Sequence, residues 1–355
     1  MKRLPVALLA FSLASFAQSG ADAKRGAELF SAQGCADCHT SGQSGAAPDL
    51  HRAVAREYTP ASMASQMWNH APAMWAKIRS AQRDLPKLSG QDAADLFAFY
   101  YATRYFERPG DAGRGKRVFA EKKCIECHSS NGPALPAQHW KSLGDPVELV
   151  DRMWNHASTM RDAVSAKTKK WPTLTGAEFS DLLVYLQNLP ETKQTVRFFS
   201  LPAGTRGQAL LLDKGCVQCH KGDMALEARL GELRLSDVAA SMWNHAPKMR
   251  DKMPGLASDE LREIIAYGWS QSFFRSHGNA GAGKKVFDSK CGTCHGSGGP
   301  GPDVRGKVGS ATAMVAALWS HGPAMLTESQ KRGKGWPSLS ATEMDNILAW
   351  LEKKP

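Results

Sequence analysis

The chain has 355 residues, of which 42% are hydrophobic and 22% charged, and its formal net charge is +11 at pH 7. These proportions are typical of a soluble globular protein, and they exclude a disordered chain or a protein with many membrane spans. At about 150 residues per domain the length would suggest two or three domains. The spacing of eight cysteines and eleven histidines predicts a different division.

The N-terminal segment has the features of a secretory signal peptide. Lys2 and Arg3 precede an uncharged stretch over residues 4–17, and Ala21-Asp22-Ala23 has the Ala-x-Ala form of a cleavage site. The stretch is too short to span a bilayer. We expect cleavage after Ala17 or Ala23 and a periplasmic mature chain without a transmembrane segment.

All eight cysteines fall into one motif, Cys-x-x-Cys-His, which occurs four times. The first cysteines of successive motifs are 89, 92 and 75 residues apart, and a segment of the form Gly-x-x-x-Phe or a close variant precedes each motif. The motifs are Cys35-Ala-Asp-Cys38-His39, Cys124-Ile-Glu-Cys127-His128, Cys216-Val-Gln-Cys219-His220 and Cys291-Gly-Thr-Cys294-His295. A pattern that recurs in register predicts tandem units.

Two further blocks follow each motif. The middle block resembles Met-Trp-Asn-His-Ala-x-x-Met, with its histidine 25 to 31 residues beyond that of the motif. The last block has a proline and then a helix with apolar periodicity, in which Ser340 and Glu343 have the spacing of a capping box. No stretch alternates as a strand would, so the predicted fold class is all-α.

The histidine after each cysteine pair distinguishes three interpretations of the motif. Disulfides would close two-residue loops, which constrain little chain entropy. Zinc bound by four thiolates would join separate units and leave the histidines unused. Covalent haem attachment uses both thiols and the histidine. We therefore predict four haem c groups bound through Cys35, Cys38, Cys124, Cys127, Cys216, Cys219, Cys291 and Cys294, with His39, His128, His220 and His295 as proximal iron ligands.

Each unit resembles a class I cytochrome c. The resemblance rests on the Gly-x-x-x-Phe helix, the attachment motif, a proline-containing loop such as Gly301-Pro302-Asp303-Val304 and a final helix. It implies four tandem cytochrome c-like domains, each wrapped around one haem. With the signal peptide at 1–23, the predicted domains are 24–108, 109–200, 201–276 and 277–355, called units one to four below.

The distal iron ligand does not follow from the family pattern. In the family it is a methionine just before a proline, and this position holds Leu85, Trp171, Met253 and Trp336. The middle block offers a histidine and a methionine four residues apart, on one face of a helix if the helix continues through its prolines. We favour the methionines, since the family fold is adapted to a thioether: Met74, Met160, Met249 and Met325. The alternative ligands are His70, His156, His245 and His321, and Met253 could replace Met249. We expect the recurrent tryptophans to pack against haem: Trp68, Trp154, Trp243 and Trp319.

The resemblance implies an exported tetrahaem electron carrier with no catalytic residue, acting between redox partners in the periplasm or at the cell exterior. The alternative is an oxidoreductase or peroxidase with one haem whose distal ligand is displaceable. Removal of residues 1–23 leaves a net charge of +10, so we expect redox partners with acidic docking surfaces. The dispersed basic residues predict no nucleic-acid binding. The remaining histidines, His51, His139 and His277, are assigned no role.

Overall fold

The computed structural model consists of helices and connecting loops, with no strand among the described residues. The described residues are 20–39, 47, 59–103, 110–140, 143, 145–168, 170–189, 204–231, 233–249 and 252–353. The predicted all-α class is confirmed. Within these ranges no helix is long and apolar enough to cross a membrane. The predicted signal segment up to residue 19 and His51 lie outside the described residues.

Each unit contributes a first, a middle and a last helix. Unit one contains α1 (Ala23–Ala32), α2 (Pro60–Ser80) and α3 (Gly90–Thr103). Unit two contains α4 (Ala112–Glu121), α5 (Pro146–Thr168) and α6 (Gly176–Gln187). Unit three contains α7 (Gly207–Asp213), the short α8 (Leu226–Leu230), α9 (Leu235–Met249) and α10 (Ser258–Phe273). Unit four contains α11 (Ala280–Lys290), the short α12 (Gly292–His295), α13 (Ala311–Lys331) and α14 (Ala341–Leu351).

A glycine in the first helix lets it cross the last helix of the same unit at close range. A Cβ atom on Gly115 would lie 2.0 Å from the carbonyl oxygen of Asp181, and one on Gly283 would lie 1.9 Å from that of Asn346. Only a residue without a side chain fits such a crossing. The glycine of the Gly-x-x-x-Phe pattern is therefore a packing requirement, and it fixes where the cysteine motif leaves the helix pair.

Side-chain caps set the start of the last helices. The capping box predicted for α14 is present: Glu343 N–H donates to Ser340 Oγ at 3.1 Å, and Ser340 N–H donates to the Glu343 carboxylate at 2.9 Å. Thr175 and Glu178 form the same arrangement at the start of α6. These bonds satisfy backbone donors that have no partner inside the helix.

The units pack in a nested order along the chain. The middle helix α2 of unit one packs on α13 and α14 of unit four, while α5 and α6 of unit two pack on α9 of unit three. The two pairs meet where α3 contacts α10, through Tyr101, whose ring centroid lies 5.1 Å from that of Trp269 and 5.3 Å from that of Phe273. Apolar side chains from all four units form one continuous core.

Candidate haem sites

Each Cys-x-x-Cys-His motif forms a single helical turn directly after a first helix. The backbone N–H of the histidine donates to the carbonyl of the first cysteine, at 2.9 Å both from His128 to Cys124 and from His295 to Cys291. One turn thus carries two thiols and an imidazole, as attachment of one haem requires. None of the eight cysteines forms a disulfide. In the described ranges no three His, Cys, Asp or Glu side chains group as a site for a bare metal ion.

Backbone carbonyls orient the rings of two motif histidines. Nδ1 of His128 lies 3.0 Å from the carbonyl oxygen of Leu135, and Nδ1 of His295 lies 2.9 Å from that of Pro302. A carbonyl oxygen only accepts, so Nδ1 carries the proton and Nε2 keeps a free lone pair. Metal-binding histidines almost always donate their other ring N–H in this way. Both rings are therefore set to bind a metal through Nε2.

The middle helix of every unit places its histidine close to the histidine of the motif. The ring centroids are 6.4 Å apart for His39 and His70, 6.2 Å for His128 and His156, 5.9 Å for His220 and His245, and 6.1 Å for His295 and His321. The interplanar angles lie between 61° and 73°. One geometry recurs four times, although the segments between the paired histidines differ in length.

The candidate methionines lie one turn further along the same helices. Middle helices α2, α9 and α13 continue through their prolines, so histidine and methionine share a helical face as expected. All four methionines are partly buried and pack against the core: Met74, Met160, Met249 and Met325. Met253, the other methionine considered in unit three, is also partly buried.

Unit four contains an apolar cleft with a volume of about 570 Å³, its open mouth included. Its lining includes Cys291, His295, His321 and Met325, together with Trp68 from unit one, and it carries no carboxylate, lysine or arginine. Cofactor sites are typically concave and mostly apolar, with a few placed polar groups. The residues present fit a haem, because they offer a thiol for attachment, two imidazoles for the iron and apolar walls for the ring.

Burial favours the uncharged form of several side chains in these sites. It raises the pKa of three motif thiols to about 11, those of Cys35, Cys124 and Cys291. Burial, and then the facing motif histidine, lower the pKa of three middle-helix imidazoles, those of His156, His245 and His321. A neutral imidazole retains the lone pair that a metal needs.

A short segment of each unit lies between its middle and last helices and has the form x-Pro-x-Leu. We call these segments straps: residues 85–88, 171–174, 253–256 and 336–339. From α2, Trp68 Nε1 donates to the carbonyl of Pro337 at 2.7 Å. The adjacent Asn69 donates to the carbonyl of Leu339 at 2.7 Å and accepts its N–H at 2.9 Å. The residue directly before His70 is thereby fixed to unit four.

We call this set of hydrogen bonds, from a tryptophan and an asparagine of one middle helix to the strap of another unit, a clamp. Units two and three clamp each other, since each middle helix binds the strap of the other unit. From α9, Trp243 Nε1 donates to the carbonyl of Pro172 at 2.6 Å. Asn244 donates to the carbonyl of Leu174 at 2.7 Å and accepts its N–H at 2.8 Å. The middle helix of unit two, α5, makes the corresponding three hydrogen bonds to strap 253–256.

Prolines in the middle helices free a carbonyl that a strap tryptophan then occupies. Pro72 has no N–H to donate to Trp68 four residues earlier, and the carbonyl of Trp68 accepts instead from Trp336 Nε1 at 2.9 Å. Trp171 donates in the same way, at 3.1 Å, to the carbonyl that Pro247 leaves free. The partner unit therefore repairs the backbone where the helix lacks a hydrogen bond.

Unit two has no proline at this position, since Ser158 replaces it, and the strap that faces it has Met253 in place of a tryptophan. A helix that keeps its own hydrogen bond needs no indole from outside. Both strap tryptophans thus lie opposite a helix in which a proline leaves a carbonyl without its helical hydrogen bond.

Unit four departs from the clamp. Trp319 Nε1 donates to Met67 Sδ at 3.2 Å rather than to a strap, and Ser320, in the place of the asparagine, donates within its own helix. Pro323 removes the N–H that would face the carbonyl of Trp319, and the corresponding position of the strap in unit one holds Leu85, whose side chain has no donor. The segment that leads into His321 lacks the hydrogen bonds that fix the other three.

The asparagines and strap tryptophans are the site residues that sequence reasoning missed. We expected the middle-block tryptophans to pack against haem, and Trp68 does line the cleft of unit four, but it lies there as a residue of unit one. The available signal was internal to the repeats: an asparagine before the histidine in three units of four, and a strap tryptophan in two. The role of these residues could be inferred only once it was known which units pack against each other.

Comparison with known families bears on the class of cofactor. The family model for cytochrome c matches residues 23–100, and the model described as cytochrome C oxidase, cbb3-type, subunit III matches residues 278–351. These matches support a c-type cytochrome. Such domains imply covalently bound haem c, haem-based electron transfer and redox partners, and cytochrome c families are generally electron carriers. No curated protein and no solved structure matches the chain.

Proposed function

We propose that the chain is an exported tetrahaem cytochrome c that transfers single electrons between redox partners in the periplasm or at the cell exterior. The observation that carries this proposal is the recurrence of one motif turn and one facing histidine in each of the four units. The family matches cover units one and four, and units two and three repeat their arrangement.

The histidine pairs support ligation of each iron by two imidazoles. With a metal–nitrogen distance of about 2 Å on each side, two imidazoles on opposite faces of one metal have ring centres about 6 Å apart. The observed separations are 5.9 to 6.4 Å. We therefore propose the alternative ligands of the sequence analysis rather than the favoured methionines. The ligand sets are His39 with His70, His128 with His156, His220 with His245, and His295 with His321.

This arrangement suits a carrier. A c-type haem supplies a one-electron Fe(III)/Fe(II) couple, and its potential is lower with two histidines than with a histidine and a methionine. The chain holds the imidazoles in place through the carbonyls of Leu135 and Pro302 and through the clamped middle helices. Where side chains fill both axial positions, no position is left for a substrate.

The count of haems tests the tetrahaem proposal. The denatured protein should keep four covalent haems per chain by pyridine haemochrome absorbance. A double substitution of Cys216→Ala and Cys219→Ala should reduce the count to three. A wild-type count clearly below four would contradict the proposal.

Unit three offers a matched pair of variants for the distal ligand. His245→Ala removes the proposed ligand and should convert one haem in four to a high-spin state in optical and paramagnetic resonance spectra. Met249→Leu, four residues further on the same helix, should leave all haems low-spin. The reverse result would support methionine ligation.

The cap of the first helix bears on where the signal peptide is cleaved. Asp22 caps α1 by accepting from the N–H of Lys24 and Arg25, and its own N–H donates to the buried Asp95 at 2.8 Å. Cleavage after Ala23 would remove this cap, so we propose cleavage after Ala17. Mass spectrometry of the periplasmic protein should find a mature chain that begins at residue 18.

The basic balance of the chain supports docking to acidic partners. Loss of Lys2 and Arg3 with a leader that ends at residue 17 lowers the formal net charge from +11 to +9. Long-range attraction to an acidic partner is screened by salt. Bimolecular electron transfer to an acidic redox protein should therefore slow as ionic strength rises, and a rate that is independent of salt would contradict this docking proposal.

A further inference from the structure

The four middle helices differ in how firmly the partner unit fixes the backbone before the proposed distal histidine. Five hydrogen bonds join α2 to strap 336–339, one of them from Ser65 Oγ, and four join α9 to strap 171–174. Three join α5 to strap 253–256. For α13 no bond of this set is present between the described residues of the helix and strap 85–88.

The missing contacts lie directly beside His321. Ser320 precedes it in the place of the clamping asparagine, Pro323 has no N–H to donate to the carbonyl of Trp319, and the strap of unit one has Leu85 in the place of the tryptophan. Each net hydrogen bond shifts a conformational equilibrium about fivefold. Two asparagine bonds therefore favour the clamped position about 25-fold, and α13 has no such contribution.

Packing around the next residue adds no hydrogen bond. Gly322 lies against the indole of Trp75, because a Cβ atom there would be 2.4 Å from the ring. Trp75 is buried, and its Nε1 has no hydrogen-bond partner. Apart from the bond of Trp319 Nε1 to Met67 Sδ, this contact between α13 and unit one is apolar, and apolar contacts fix the rotation of a helix less specifically than paired backbone groups do.

The space beside His321 selects for small uncharged molecules. His295, His321 and Met325 line the apolar cleft of unit four, together with Leu318 and Met314. Apart from the two histidines, the described lining residues include no acidic or basic side chain, so no fixed charge is present to bind an anion. A small neutral molecule that donates a lone pair to ferrous iron is the class of ligand that fits.

We propose that unit four holds an exchangeable axial position, at which His321 leaves the iron and a diatomic ligand of the class of carbon monoxide or nitric oxide binds in its place. For carbon monoxide, the exchange replaces the Nε2 lone pair by the lone pair of the ligand, so the number of electrons donated to the iron is unchanged and no bond within the ligand is broken. This inference rests on the proposed function, since it assumes a haem and a histidine pair in unit four.

Titration of the reduced full-length protein with carbon monoxide tests the proposal. We expect about one carbon monoxide per chain, read from the optical difference spectrum. His321→Ala should still bind about one, faster than wild type, whereas His245→Ala should bind about two. Absence of binding in the wild type would overturn the proposal, and so would two bound molecules in His321→Ala, since the wild-type ligand would then occupy another haem.

A second set of variants tests the physical cause. Asn244→Ser with Trp171→Leu removes three of the four hydrogen bonds between α9 and strap 171–174, with the proline retained, and should raise the stoichiometry to about two. Asn244→Ser alone is the milder variant and should speed carbon monoxide binding at unit three about 25-fold, two hydrogen bonds having been lost. An unchanged stoichiometry and rate in folded variants would overturn the role of the clamp.

Failure of this inference is distinguishable from failure of the proposed function. Four covalent haems with low-spin spectra and no carbon monoxide binding would leave the carrier intact and overturn only the exchangeable site. Fewer than four haems, or a high-spin haem before any ligand is added, would contradict the proposed function itself.

Discussion

At the residue scale, one glycine in the first helix sets how closely the first and last helices of a unit cross. Gly283 lies four residues before Phe287, and its Cα approaches the backbone of α14 so closely that no Cβ atom fits. Phe287 is then buried against Trp350, with ring centroids 4.3 Å apart. The pair of residues therefore sets both the distance and the rotation of α11, from which Cys291 and His295 follow.

Gly283→Ala should destabilise the protein, because the new methyl group would meet a rigid backbone carbonyl. We expect a loss of about 1–3 kcal/mol, as for other overpacked sites, seen as a lower midpoint in thermal unfolding of the haem-loaded protein. Gly90→Ala is the control, since a Cβ atom there meets nothing within 4 Å. Equal midpoints for both variants would contradict this account of the crossing.

Lysines near the motifs connect the straps to the last helices. Lys290 Nζ donates to the carbonyl of Ser338 at 2.8 Å and pairs with Glu343 at 2.7 Å. Lys122 with Glu178 and Lys214 with Glu260 form the same pair in units two and three. The hydrogen bond from Lys290, and then that from the Ser340 N–H, lower the pKa of Glu343.

Glu343→Gln should reduce the acid sensitivity of the protein. Because the folded pKa lies below the unfolded value of about 4.3, the stability from this pair is present above that value and is lost as pH falls through the folded pKa. Urea midpoints between about pH 5 and pH 3 should therefore change less in the variant than in the wild type. Glu328→Gln, in an exposed pair with Arg332, is the control. If the urea midpoint of Glu343→Gln changed with pH as much as that of the wild type, the stabilising role of the Lys290–Glu343 pair would be contradicted.

At the scale of elements, the middle helices depend on their partners. A proline inside a helix costs about 3 kcal/mol, and α2, α9 and α13 each contain one. In α2 and α9 an indole from the partner strap restores a hydrogen bond to the carbonyl that the proline leaves free. The helix that presents the facing histidine is therefore completed only when two units meet.

Asn69→Ala should weaken the contact between units one and four. The substitution leaves the N–H of Leu339, a buried residue, without its partner, at a cost of about 1–3 kcal/mol. Ser320→Ala, at the corresponding position of α13, removes only a bond within its own helix. Denaturant unfolding should show a loss for Asn69→Ala and little change for Ser320→Ala, and similar losses in both would contradict the asymmetry of the clamp.

At the scale of the whole molecule, the pairing order differs from the chain order. Units two and three are adjacent in sequence and in space, whereas units one and four are joined by contacts such as that between Trp68 and Trp336, with ring centroids 4.8 Å apart. The corresponding pair between units two and three, Trp171 and Trp243, has centroids 4.3 Å apart. The nested order brings the first and the last unit of the chain into contact.

Hydrogen exchange should report this order. Trp336→Leu in unit four should increase amide exchange in α2 of unit one, more than 250 residues away in sequence, and leave α9 protected. Trp171→Leu in unit two should do the opposite, because its indole serves α9. Increased exchange confined to the mutated unit in both variants would contradict the nested pairing.

The sequence by itself determined the helical class, the four motif turns and the sharing of one helical face by histidine and methionine. These features depend on local periodicity, on hydrogen bonds within one turn and on side chains four residues apart. The capping box at Ser340 and Glu343 was predictable for the same reason.

Only the tertiary structure decided how the units pair and how close the middle-helix histidine lies to the motif histidine. The separation of His220 and His245 depends on the angle between two helices, and the partner of Asn244 is a strap in another unit. Helix crossings and contacts between distant residues result from packing of the whole core, which no local pattern encodes. For the same reason, the hydrogen bond of Ser320 within its own helix acquires meaning only by comparison with the asparagines that bind a strap of the partner unit.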